Sequence, residues 1–61
     1  MNAIKINMMQ GTTLFVYTTF VLPFVGMAVT LSQSVTLTGP ISGRVSDVDM
    51  IHTNEYNVTV Q

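Results

Sequence analysis

Asp47, Asp49, His52 and Glu55 form the one local grouping in this 61-residue chain with the residue types for acid–base or metal chemistry. Carboxylate oxygens at this density are of the kind that hold calcium, but the spacing matches no EF-hand loop, and no glycine stands where that loop must turn. His52, beside carboxylates, is of the residue type that serves as a proton-sensitive switch. The plainer reading of the cluster is a solvated strand end carrying an exposed histidine. A Ser/His/Asp constellation would have to be built on this single histidine with no second group to orient it. Gly39 and Gly43 flank Pro40 without a following Lys-Ser/Thr, so they do not make a phosphate loop. Asn57-Val58-Thr59 has the pattern of an N-glycosylation acceptor, meaningful only if that segment enters a eukaryotic lumen. These residues predict a non-catalytic protein with no cofactor, no metal site and no small-molecule substrate.

Composition narrows the partner classes. There is no cysteine, which removes disulfide frameworks and thiol chemistry. Net charge is −1 with no basic cluster, which argues against nucleic acid. Charged residues are 8% of the chain, against roughly 25% in typical soluble domains. No ionisable side chain other than Tyr17 lies between Lys5 and Arg44. Such a distribution points to membrane lipid, a larger protein subunit or self-association as what the chain contacts.

The elements expected to carry these residues follow from "TTLFVYTTFVLPFVGMAVTL" (residues 12–31). It has the length, about 20 residues at 1.5 Å each, that a helix needs to cross a bilayer core about 30 Å thick. The expectation is therefore a small membrane protein with a single transmembrane α-helix over 12–31, kinked near Pro23, acting as a signal-anchor. Residues 1–11 would be a short cytoplasmic segment and 32–61 a β-rich tail outside. Lys5 and the α-amino group against Arg44 give a one-charge bias toward an N-terminus in the cytoplasm. On that helix Thr12, Val16, Thr19, Pro23, Gly26 and Thr30 share a stripe of small or constrained residues suited to helix–helix contact. A rival reading is a secretory signal cleaved after Ala28 at Gly26-Met27-Ala28, releasing an exported structural peptide whose strands assemble with other chains. A third is a small membrane-active effector.

The tail reads as two or three strands, a possible β-meander. "SVTLT" is a strand candidate with Val35 and Leu37 on one face. "RVSDVDMI" sets Ser46, Val48 and Met50 against Val45, Asp47 and Asp49. "YNVTVQ" alternates Tyr56, Val58 and Val60 with Asn57, Thr59 and Gln61, the clearest period-two signal in the chain. A tail of this size cannot build a core alone. Tyr56, Val58 and Val60 are accordingly expected to form a face for strand addition to a partner sheet. The function these features suggest is an accessory or structural subunit of a larger membrane or envelope-associated assembly.

Overall fold

A computed structural model describes residues 2–61, and it is all β. Five strands form one curved sheet: β1 (Ile4–Gln10), β2 (Thr13–Thr19), β3 (Ala28–Leu31), β4 (Ile41–His52) and β5 (Glu55–Val60). Their order is β2-β1-β5-β4-β3. Neighbours are antiparallel except β1 and β5, which run parallel in the centre.

The expected transmembrane helix is overturned. No helix forms among the described residues, and none is long and apolar enough to cross a membrane. The signal-anchor and the single-pass topology, N-terminus cytoplasmic and C-terminus outside, fall with it. Residues 12–31 divide instead into the end of a turn, strand β2, a crossover and strand β3. Local chemistry explains the division. "TLFVYTT" is almost wholly β-branched or aromatic, the types that suit a pleated surface and lose rotamer freedom in a helix. Gly11 begins a two-residue turn at φ +58°, and the pair Gln10↔Thr13 closes a tight hairpin. That hairpin satisfies the backbone of β2 by pairing it with β1 along its whole length. Pro23 does not kink a helix; it is buried in the crossover between β2 and β3. Gly26 follows it at φ +94°.

Residues 1–11, read as a flank, contain β1, and β1 is central to the fold. Ile6 and Met8 point to the concave side and are buried, whereas Lys5, Asn7 and Met9 take the convex side. The sheet therefore draws strands from all three segments of the sequence reading. The partner sheet that the tail was expected to require comes from the same chain: β5 pairs with β1 on one side and β4 on the other.

The tail itself differs from expectation in two places. Residues 34–38, read as a strand, form none: turns run over 33–35 and 37–38, Thr36 between them is buried with its hydroxyl bonded to the Ser32 carbonyl, and Leu37 is fully in solvent. In β4 the register slips between Val45 and Asp47, so Ser46 is a bulge residue. The slip brings Val45 onto the same face as Val48, although strict alternation sets them apart. Val45 is buried and joins Ile6, Met8, Val29, Ile41, Val58 and Val60 in the core.

Two polar contacts hold the curvature. The Gln10 amide donates to the Ser42 carbonyl (2.8 Å) and accepts from the Ser42 amide (3.1 Å), joining β1 to β4 below the end of β5. Beyond it, the Leu14 amide donates to Thr38 Oγ1 (3.4 Å), linking the β3–β4 connection to the start of β2. The result is an open half-barrel whose concave side is covered by residues 20–27 as they cross from β2 to β3.

Candidate interaction surface

The crossover is where the molecule departs most from ordinary surface chemistry. Its covering role is carried by Pro23, which is buried, and Met27, which packs on the core. Phe20, Val21, Leu22, Phe24 and Val25 turn outward, and Phe20, Phe24 and Val25 are each exposed by 63–64%. Five large apolar side chains around one buried proline form a ridge rather than scattered surface residues. The ridge is fixed at both ends. The Val21 amide donates to Thr19 Oγ1 (3.2 Å), and the Gly26 amide donates to the Val45 carbonyl (2.8 Å). The Arg44 guanidinium donates to the Gly26 carbonyl (2.9 Å), so this cation is tied to backbone at the ridge's foot.

Beside the ridge, β2 is an edge strand of the sheet. Leu14 and Val16 are exposed on its convex side. Phe15 and Tyr17 face the concave side as a stacked pair with ring centroids 5.4 Å apart. Partial burial removes water from the Tyr17 hydroxyl and pushes its pKa above the ordinary 10.0.

Comparison with protein-family models, with curated proteins and with solved structures finds no match. The functional reading therefore rests on this surface and on what the rest of the molecule does with its polar groups.

The stripe Thr12, Val16, Thr19, Pro23, Gly26 and Thr30 does not exist as one face. Thr12 is in the β1–β2 turn, Val16 and Thr19 point to opposite sides of β2, Pro23 and Gly26 are in the crossover, and Thr30 is on β3. Of the strand-addition face, Val58 and Val60 are buried in this chain's own core and Tyr56 is half-buried beside them. Since β5 has neighbours on both sides, it has no free edge to offer. Cleavage after Ala28 would remove β1 and β2, and with them Ile6 and Met8 from the core; the remaining strands would be a different molecule.

The polar cluster is arranged as a ladder. Asp47 and Asp49 lie opposite Thr59 and Asn57 on the convex face, and His52 lies opposite Glu55 at the β4–β5 turn. Among the described residues no three His, Asp or Glu side chains come together to hold a metal. Glu55 instead turns to β1: its Oε2 accepts from Asn7 Nδ2 (3.1 Å) and lies 3.9 Å from Lys5 Nζ. Asn7 Nδ2 also donates to Asn57 Oδ1 (3.0 Å), so the acceptor-pattern asparagine is mid-strand with its carboxamide oxygen engaged. Sequence reasoning missed this Lys5–Asn7–Glu55–Asn57 group because its members are about 50 positions apart and meet only through the parallel β1–β5 pairing. The alternation of Ile4, Ile6 and Met8 with Lys5 and Asn7 was the signal that would have placed β1.

Proposed function

We propose that this chain is a small non-catalytic interaction module, a subunit that docks onto a larger protein through the ridge formed by Phe20, Val21, Leu22, Phe24 and Val25. The observation that carries the proposal is the contrast within one crossover: its proline is buried while five large apolar neighbours face outward. Apolar ridges of this kind lose water on docking and supply the buried centre of an interface. The convex face supports the reading from the other side. There Asn7 bonds both Glu55 and Asn57, and Lys5 lies 3.9 Å from Glu55, so these four groups link β1 to β5.

The test is photocrosslinking in the native cell, with a light-activated amino acid placed at Phe24 and, separately, at Asp49 on the convex face. The proposal expects a discrete protein adduct from position 24 and none from position 49. Adducts from 49 alone would overturn it. So would position 24 giving no protein adduct while the purified chain floats with phospholipid vesicles, an outcome that assigns the ridge to lipid.

A further inference from the structure

The two edges of the sheet are protected to different degrees. β3 is four residues long, and Arg44 reaches over the Gly26 carbonyl at its start. β2 is seven residues long, pairs with β1 without a bulge, and contains no charge, proline or glycine. Natural sheets commonly blunt an edge with lysine, proline, a bulge or brevity. β2 uses none of these.

The hairpin fixes which backbone groups are free. A two-residue turn makes Gln10 and Thr13 a bonded pair, so Phe15, Tyr17 and Thr19 also aim their amides and carbonyls at β1. Leu14, Val16 and Thr18 aim theirs at the open edge. The Leu14 amide, which leaves the sheet to reach Thr38 Oγ1, agrees with that phase. The Thr38 contact also closes one end of the edge and leaves Val16 and Thr18 as its free part.

We propose that a second copy of this chain pairs antiparallel along that free part, with the two-fold axis at Tyr17. Val16 then exchanges two hydrogen bonds with Thr18 of the second copy, and Thr18 exchanges two with its Val16. An axis at Val16 would require the Leu14 amide, which Thr38 already occupies. The axis at Tyr17 leaves that contact intact. It also brings exposed Leu14 of each copy toward the far end of β2 in the other, where exposed Phe20 begins the crossover, so the same apolar contact flanks the paired segment on both sides. The two half-barrels become one continuous ten-stranded sheet. This concerns the edge of β2, and the outer side of the crossover at Phe24 and Val25 remains free for the larger partner.

The test is the solution mass of the full chain, with circular dichroism to confirm the sheet. Thr18→Pro removes an amide that points away from β1, so it blocks the edge without breaking a bond inside the chain. Val16→Lys places a charge on the same edge and decides the matter if Thr18→Pro disturbs the fold. Phe24→Ser is the control on the ridge. The expected result is a wild-type mass twice the 6.7 kDa of one chain, both edge variants at 6.7 kDa with unchanged spectra, and Phe24→Ser still dimeric. A monomeric wild type at high concentration overturns the proposal. So do folded edge variants that stay dimeric, or a dimer lost on Phe24→Ser alone. None of these outcomes bears on the crosslink at position 24, so the two proposals fail separately.

Discussion

The β1–β5 pair and the β2–β3 crossover contain similar side chains and use them in opposite ways. Ile6, Met8, Val58 and Val60 are removed from water at the centre of the sheet, while Phe20, Leu22, Phe24 and Val25 remain at the surface over a single buried proline. The difference arises from pairing. The central strands have their backbones bonded on both sides, which fixes alternate side chains toward the concave face. The crossover has bonds mainly at its ends, so only Pro23 and Met27 are directed inward. Hydropathy alone does not separate a core strand from an exposed ridge; backbone pairing does.

The largest expected effect contrasts one residue from each region. Ile6→Ala empties a fully buried site and should lower unfolding free energy by about 2–5 kcal/mol. Phe24→Ala, though it deletes more apolar surface, should change it by about 0.5 kcal/mol or less. Urea denaturation of the two variants measures both. Equal losses would mean that the crossover is part of the core and the contrast is false.

A smaller effect separates two glycines. A Cβ at Gly43 would run into the Gln61 carbonyl and lie 2.8 Å from its carbon, where backbone cannot move aside cheaply. Gly43→Ala should cost about 1–3 kcal/mol as an overpacked site. Gly26 has nothing within 4 Å of such a Cβ, and its φ of +94° is the sole objection. Gly26→Ala should therefore cost only the backbone strain, about 1 kcal/mol. Thermal denaturation ranks the pair, and a larger loss at Gly26 would place close packing at the crossover.

The legible part of this fold was the part where pattern and pairing agree. Tyr56–Val60 alternates in sequence and is a strand in the structure, and "RVSDVDMI" lies wholly within β4. Residues 12–31 misled because length and lack of charge satisfy a membrane helix as well as a strand joined to an exposed crossover. The threonines and aromatics of "TLFVYTT" carried the correct signal, and Pro23 and Gly26 marked its end. Strict alternation puts Val45 on the wrong face because a bulge at Ser46 has no sequence signature of its own. Nothing local in the sequence announces that Asn7 will meet Asn57 and Glu55.

The smallest expected effect is on alkaline stability. Burial raises the Tyr17 pKa, so the folded state holds this proton more tightly than the unfolded chain. The stabilising contribution is complete below the ordinary 10.0 and is lost as pH rises through the folded value. Tyr17→Phe should flatten the decline of stability above pH 10.0 and leave the slope near neutrality unchanged. An unchanged alkaline slope would show that the hydroxyl is as well solvated folded as unfolded.

Amide hydrogen exchange on the intact chain tests the central claim most directly, since a helix and the strand–crossover arrangement protect different amides. The Leu22, Phe24 and Val25 amides have no acceptor among the described residues, whereas the Ile6 and Val58 amides lie in the two paired central strands. The account predicts slow exchange at Ile6 and Val58 and near-free exchange at Leu22, Phe24 and Val25. Continuous protection from Thr12 to Leu31, with Ile6 unprotected, would contradict it and restore the helix.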